Sequence, residues 1–158
     1  MEYGPRALGH RSVLARPDRP QLRDRVNLLQ KRRVWYQPFC PSLLDADARA
    51  ALADFSGQPN RHMTMAYVVA PAYRDRLSGV MSVDGSCRPQ MVADDAPTPF
   101  AAMLRAVRAL IGIGAVLNTS FNMHGSPLVC TPVEAVQVFH ESGADALALG
   151  PFLVKRSD

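Results

Sequence analysis

Two helices with well-defined starts enclose one short apolar strand in the second half of the sequence. Thr98-Pro99 is typical of a helix start, and apolar residues at three- and four-residue spacing continue from there to Gly112. Residues 131–134 (TPVE) have the N-cap, first-turn proline and third-position glutamate of a capping box, which predicts a second helix to about Glu141. Between the two helices, residues 115–122 (AVLNTSFN) form an apolar run that ends in polar side chains. This order favours a β-strand that is covered by helices.

The remaining elements are predicted from the rest of the chain. Residues 1–18 are expected to form a basic loop, and a helix is predicted from Pro20 to about Arg32, with Leu22, Val26 and Leu29 on one apolar face. Three further β segments are predicted. Residues 64–70 are expected to form a strand, and residues 79–92 a strand, an Asp-Gly turn and a second strand. Residues 145–155 are expected to form a last strand. Strands and helices do not alternate strictly. We therefore predict an α/β (α+β) fold, with a twisted mixed β-sheet flanked by helices, as a single domain over residues 1–158.

Composition and cysteine spacing exclude several classes of protein. The 158 residues are 47% hydrophobic and 20% charged, which supplies a core and is not typical of a disordered chain. No apolar run approaches the roughly 18 residues of a membrane span, and the N-terminus lacks the build of a secretory signal. The cysteines and histidines lack the spacing of a disulfide framework or a metal site. We expect a cytoplasmic protein with no metal site of its own and no membrane partner.

Positive charge is concentrated at the N-terminal end of the chain. Residues 1–33 contain nine of the 18 Lys and Arg residues against three acidic residues, a net charge of +6 in a chain whose net charge is +4. A basic segment of this kind attracts phosphate-bearing ligands, nucleic acid or an acidic partner. The alternative is that many of these arginines are solvated surface residues.

A glycine-rich basic loop and a Lys-x-Arg pair are the first candidates for phosphate binding. Arg6 lies in residues 4–12 (GPRALGHRS), where glycines allow backbone N–H groups to approach an anion. Lys31 and Arg33 are two residues apart, so they would share a face if the chain is extended there. A guanidinium binds phosphate bidentately, and an ammonium beside it acts as a point charge. The alternative is a solvated helix C-terminus favoured by the helix dipole.

Two further groups of polar residues accompany apolar segments. Arg88 lies in an apolar stretch, where a positive charge needs an anionic partner, either a ligand or a structural aspartate. Asn118, Ser120 and Asn122 alternate, so their side chains would project together from a strand end and hold a phosphate or a ribose. The alternative is a polar turn whose side chains cap its own backbone. The composition is that of a phosphate site, without the sequence of a phosphate-binding loop.

Five segments carry a resemblance to a known family. They are EYGPRALGHRS at residues 2–12, KRRVWYQPFCP at 31–41, VDGSCRPQ at 83–90, VLNTSFNMHG at 116–125 and GPFLVK at 150–155. In this order they resemble the opening signature, the K-x-R-x-x-F-x-P-F-x-P element, the VDG-x-x-R-x-Q element, the LNTSFN-x-x-G element and the terminal strand of one domain. That domain is the C-terminal domain of the nodulation and antibiotic O-carbamoyltransferase family, and the resemblance covers residues 2–155.

The resemblance implies a fold similar to that of threonylcarbamoyl-adenylate synthase. It also implies an activity that makes carbamoyl-adenylate from ATP and carbamoyl phosphate. On this basis the catalytic residues are Lys31, Arg88 and Ser120, and the nucleotide- and carbamoyl-phosphate-binding residues are Arg6, Arg33, Asn118 and Asn122. Mg²⁺ is expected to arrive with ATP, bound through its phosphates.

Two departures from the family pattern motivate alternatives. In the family, a larger N-terminal domain moves the carbamoyl group to an acceptor hydroxyl, and that domain lies outside this sequence. A separate transferase domain or subunit is therefore the expected partner. Complete transfer by this chain alone is not expected. Gln37 stands where many relatives have a further arginine. The alternative is a non-catalytic partner-binding or regulatory remnant of a split carbamoyltransferase. A nucleic-acid-binding module is a less favoured third hypothesis, and a homodimer through an exposed apolar face is a further option.

Overall fold

The computed structural model describes residues 1–156 and contains eight strands and four α-helices among them. In chain order the elements are β1 (Ser12–Ala15), α1 (Pro20–Arg25), a π-helix (Val26–Lys31), β2 (Cys40–Leu44), α2 (Asp45–Ala51), β3 (Tyr67–Val68), β4 (Ser86–Cys87), β5 (Gln90–Val92), α3 (Pro99–Ile111), β6 (Ala115–Ser120), α4 (Pro132–Ser142), β7 (Ala146–Leu149) and β8 (Phe152–Lys155). Two short 3₁₀ turns follow β3, at Pro71–Tyr73 and Asp75–Leu77. The predicted α/β (α+β) class is confirmed.

The central sheet has four strands in the order β1-β6-β2-β5, and it is mixed. β2 runs parallel to β5, whereas β6 is antiparallel to both of its neighbours, β1 and β2. Ser12 lies opposite Ser120, and Cys40 lies opposite Asn118. The starts of β1, β2 and β5 therefore meet the end of β6 at one end of the sheet, which we call the polar end.

Apolar residues cover both faces of this sheet. Leu43 and Leu117 belong to the core cluster on one face, whereas Leu44 and Val116 pack on the other face with Phe100 of α3. Successive strand residues point to opposite faces, so a strand that is buried on both faces reads as a continuous apolar run. This is the physical reason for the apolar sequences of β2 and β6.

The two helix starts that frame β6 are confirmed. The Thr98 hydroxyl accepts from the Ala101 backbone N–H at 3.2 Å. The Thr131 hydroxyl accepts from the Glu134 N–H at 3.3 Å, and the Glu134 carboxylate accepts in return from the Thr131 N–H at 3.1 Å. Gly112 ends α3 with φ +77°, a conformation that costs glycine little.

The helix predicted from Pro20 to about Arg32 changes its winding part-way. It is α-helical to Arg25 and π-helical from Val26 to Lys31. The wider π turns bring Asn27, Gln30 and Lys31 into the interior. The predicted apolar face is therefore wrong at Leu29, which is 43% exposed.

Four other segments, one predicted as a loop and three as β, differ from the prediction. The basic loop of residues 1–18 contains β1, residues 64–70 form only the short β3, and in residues 79–92 both strands follow the Asp84-Gly85 turn. Residues 145–155 form two antiparallel strands, β7 and β8, because Gly150 turns the chain at φ +57°. Within residues 1–156, no helix is long and apolar enough to cross a membrane.

Candidate functional site

The Lys31 ammonium is enclosed by oxygen atoms at the end of β6. It donates to the Ser120 carbonyl at 2.6 Å, the Ser120 hydroxyl at 3.1 Å, the Asn122 carbonyl at 3.2 Å and the Asn122 Oδ1 at 2.8 Å. The Ser120 hydroxyl donates to the same Asn122 Oδ1 at 2.6 Å. The predicted convergence of Lys31, Ser120 and Asn122 is therefore present.

The charge on Lys31 is held in an unfavourable environment. Its residue is only 7% exposed, and burial, followed by repulsion from Arg33 and Arg6, lowers the pKa of Lys31 to about 8. The neighbouring oxygens are neutral carbonyl, hydroxyl and amide oxygens rather than carboxylates. An anion at this position would reduce the free-energy cost of keeping the buried Lys31 ammonium charged.

Arg6 fixes the glycine-rich loop to the polar end of the sheet. Its Nη1 donates to the Ser12 hydroxyl at 2.7 Å, to the Asn118 Oδ1 at 2.8 Å and to the Thr119 carbonyl at 3.1 Å. Asn118 in turn donates to the Ser42 hydroxyl of β2 at 2.9 Å. Burial lowers the pKa of the Arg6 guanidinium. Arg6 and Asn118, each predicted separately as a binding residue, are thus in direct contact.

Gly9 explains how the loop that carries Arg6 approaches the rest of the molecule. Gly9 has φ +81°, and a Cβ built on it would lie 2.6 Å from Cδ2 of Phe100. A side chain at this position would therefore be strained and would also collide with α3. Glycine is needed here for close packing of the loop.

Arg33 lies near Lys31, but in a different backbone geometry from the one predicted. The chain between Lys31 and Arg33 is not extended, because Arg32 has φ +43° and ends the π-helix. The Arg33 Nε donates to the Asn27 Oδ1 at 2.7 Å, and its guanidinium lies 4.2 Å from the centre of the Phe39 ring. The prediction that Lys31 and Arg33 share a strand face is therefore wrong, although Arg33 is close enough to lower the pKa of Lys31.

Arg88 is exposed, and its Nη2 donates to the Cys40 Sγ at 3.3 Å. Among residues 1–156 no aspartate pairs with it, and its exposure means that its charge does not need a buried counter-ion. Arg88 borders a cavity of about 310 Å³ that is also lined by Gln37, Cys40 and Cys87. Since β2 and β5 are parallel neighbours, Arg88 and Cys40 lie at the polar end of the sheet.

Four cations meet at the polar end without a carboxylate partner. We call Arg6, Lys31, Arg33 and Arg88 the cationic cluster. The ion pairs found within residues 1–156 involve other basic residues: His10, Arg11, Arg16, Arg23, Arg25, Arg61 and Arg108. Concentrated positive charge without protein counter-charge is the arrangement that binds phosphate groups.

Comparison with known proteins shows which family the chain belongs to. The family model described as Carbamoyltransferase C-terminus matches residues 1–156. The chain belongs to the carbamoyltransferase C-terminal family. An uncharacterized protein of Methanocaldococcus jannaschii is 42% identical over 99% of this chain and 25% of its own length.

Two rhizobial relatives have names that indicate a role. The nodulation protein NolNO of Sinorhizobium fredii is 38% identical over 98% of this chain and 23% of its own length. The nodulation protein NolO of Bradyrhizobium diazoefficiens is 34% identical over 98% of this chain and 28% of its own length. The chain spans about a quarter of the length of the curated relatives it matches.

This carbamoyltransferase C-terminal region contains site residues that the sequence analysis missed. Asn27 holds Arg33 and donates to the Gln37 carbonyl at 3.2 Å, and Gln30 donates to the Asn122 carbonyl at 3.2 Å. Asn27 lies four residues before Lys31, a spacing that places both on one side of a helix and was an available signal, whereas Gln30 directly precedes Lys31. No comparable signal marks Ser12 or Ser42, because their roles depend on strand pairing.

No protein metal site is expected in this family member, and that expectation stays a prediction. In the part of the chain that the structure describes, no group of three His, Cys, Asp or Glu residues is placed to hold a metal ion. The donor set at the polar end is cationic and neutral, which suits an anion rather than a cation.

Proposed function

We propose that this chain forms carbamoyl-adenylate from ATP and carbamoyl phosphate and supplies the carbamoyl group to a separate carbamoyltransferase domain or subunit. The observation that carries the proposal is the cationic cluster, which has no carboxylate partner among residues 1–156 and adjoins Ser120 and Asn122. Membership of the carbamoyltransferase C-terminal family supports the class of reaction.

The proposed reaction has two balanced parts. Carbamoyl phosphate reacts with water to give carbamate and inorganic phosphate. A carbamate oxygen then forms a bond to the α-phosphorus of ATP while the bond from that phosphorus to the bridging oxygen breaks, and pyrophosphate leaves. Negative charge is spread over the phosphoryl oxygens in such a step, so fixed cations stabilise it.

Each predicted site residue has a role that fits its position. Lys31 and Arg88 stabilise charge on the transferred group, and Ser120 and Asn122 position phosphate and ribose around the Lys31 ammonium. Arg6 and Arg33 bind the remaining phosphate groups, and Asn118 orients Arg6. Mg²⁺ enters as part of the substrate, because ATP carries it on its phosphates.

The cavity beside Arg88 suits the smaller substrate. Its volume of about 310 Å³ is at the lower end of the range for ligand pockets, and Arg88 lies at its wall. Lys31, which does not line this cavity, is itself buried, and that indicates a partly water-excluded site around its ammonium. Exclusion of water protects a labile carbamate and strengthens electrostatic interactions.

The experiment is an exchange of labelled pyrophosphate into ATP with Mg²⁺, with and without carbamoyl phosphate. We expect exchange that depends on carbamoyl phosphate and that is lost in Lys31→Met. The control is Lys155→Met, since Lys155 is exposed and lies in β8, outside the cationic cluster. Exchange that is absent in the unchanged protein, while ATP still binds, would favour the non-catalytic alternative.

A further inference from the structure

A long groove separates the edge of the central sheet from the β7–β8 hairpin. Its volume is about 840 Å³, and its lining includes every residue of β1 and every residue of β7. The groove therefore extends along both strands. It lies outside the cationic cluster, because none of the four cations lines it.

Both strands that border the groove have a free edge within residues 1–156. β1 is the edge strand of the central sheet and pairs with β6 alone, and β7 pairs with β8 alone. A strand at a sheet edge presents unpaired N–H and C=O groups on its open side. The groove thus has backbone hydrogen-bonding groups along both long walls.

The groove also has an apolar wall. Phe121, Val129, Phe139 and Leu147 form a buried cluster, with Val13 packed against it, and all five residues contribute to the groove lining. An extended peptide in this position would place alternate side chains against that cluster and would satisfy the free strand edges through its backbone. A compact small molecule would leave most of those edges unpaired.

We propose that this groove is the seat of an added β-strand, supplied by the polypeptide that precedes this region in the longer members of the family. Three observations select this occupant. The curated relatives continue well beyond the matched quarter of their length, and the matched family region is a C-terminus. Met1 itself lines the groove, and the Glu2 N–H donates to the carbonyl of Cys130 at 2.8 Å, also in the lining.

In the longer relatives, polypeptide that precedes the position of Met1 would therefore start at the groove. Once seated, the strand would join the four-stranded sheet and the β7–β8 hairpin into one continuous sheet. The required sequence is an extended segment with apolar residues at alternate positions and with free backbone N–H groups. This inference does not depend on the proposed activity at the polar end.

The test uses a fluorescent synthetic peptide with the sequence of the roughly ten residues that precede the matched region in the Methanocaldococcus jannaschii relative, a length at the upper end of the usual range for strands. Binding is measured by anisotropy, and amide hydrogen exchange is followed in β1 and β7. The matched control is the same peptide with alternate backbone nitrogens methylated, which keeps the side chains and removes hydrogen-bond donors.

We expect saturable binding, slower amide exchange in both β1 and β7, and at least tenfold weaker binding of the methylated peptide. Equal binding of the two peptides, or no protection of either strand, would overturn the proposal. Protection of β1 and β7 that appears without peptide and grows with protein concentration would assign the groove to a second copy of the chain instead, and would likewise overturn it.

Discussion

The ammonium of Lys31 lies 2.8 Å from the Oδ1 of Asn122, a residue 91 positions further along the chain. The π-helix delivers Lys31, and the loop after β6 delivers Asn122. Because both reach the polar end of the sheet, a positive charge from the basic N-terminal segment meets the alternating polar residues of the later strand. This contact is the centre of the cationic cluster and the basis of the first two predictions.

Replacement of Lys31 by methionine removes the central charge and keeps a long unbranched side chain. We expect Lys31→Met to weaken binding of ATP and of carbamoyl phosphate by more than about tenfold, the usual effect of losing a charged contact of roughly 1.5–3 kcal/mol. Lys155→Met changes an exposed lysine and should bind as the unchanged protein does. Isothermal titration calorimetry measures both, and equal affinities in the two variants would contradict the assignment of Lys31.

The lowered pKa of Lys31 predicts a pH dependence of stability. The folded protein loses the Lys31 proton at about pH 8, whereas an ordinary lysine loses it near 10.5. Between these values the unfolded chain holds more protons, so the free energy of unfolding should rise with pH, by at most about 1.4 kcal/mol per pH unit for one proton. The destabilisation is fully present below pH 8.

Urea unfolding of the unchanged protein and of Lys31→Met across this window isolates the contribution of Lys31. We expect the difference in free energy of unfolding between the two proteins to change between pH 8 and 10.5. A constant difference would show that the pKa of Lys31 is not lowered in the folded state.

The starts of α3 and α4 and the buried strand β6 could be predicted because local chemistry decides them, whereas the equally buried β2 was not predicted. Thr98 and Thr131 cap their helices through their own side chains, and β6 is apolar because both sheet faces are covered. The π-helix could not be predicted in the same way. Its wider turns bury Asn27 and Gln30, which a regular α-helical pattern does not favour.

The contacts among the proposed site residues could be predicted from the sequence only in part. The alternation of polar residues at the end of β6 correctly placed Ser120 and Asn122 together, although Asn122 lies in the loop beyond the strand. The placement of Arg33 depends on Arg32 in a left-handed conformation and on Asn27, and neither is visible as a local pattern. The exposed position of Arg88 depends on how β5 pairs with β2.

Gly9 offers a test of the packing that holds the Arg6 loop. We expect Gly9→Ala to destabilise the protein by about 2–4 kcal/mol, because alanine is strained at φ +81° and its Cβ would overlap the Phe100 ring. Gly4→Ala is the matched control, since Gly4 has φ +84° and no atom within 4 Å of a built Cβ. It should cost only the conformational part, about 1–2 kcal/mol. Thermal or urea unfolding gives both values, and equal losses would contradict the close contact with α3.

Gln37 lines the cavity beside Arg88 and provides a gain-of-charge test. We expect Gln37→Arg to strengthen binding of carbamoyl phosphate by about tenfold, because a guanidinium would add a charged contact at the cavity wall. Gln58→Arg is the control, since Gln58 is also exposed and also precedes a proline but does not line the cavity. Calorimetry at fixed ionic strength should separate the two variants. A similar gain in both would mean that net charge alone, rather than the position of Gln37, improves binding.

The three cysteines provide a probe of the cavity that requires no substitution. Burial raises the pKa of Cys87 to about 12, and the residue is 3% exposed, so Cys87 should resist alkylation in the folded protein near pH 8. Cys40 and Cys130 are partly exposed and should react with iodoacetamide. Of these two reactive cysteines, Cys40 lines the cavity and contacts Arg88, so saturating ATP and carbamoyl phosphate should slow its alkylation several-fold and leave Cys130 unchanged. Mass spectrometry of peptides from timed reactions measures each rate.

Protection of Cys40 and Cys130 to the same degree would indicate a general effect of the ligands. An unprotected Cys40 would mean that substrate binds away from the polar end of the sheet.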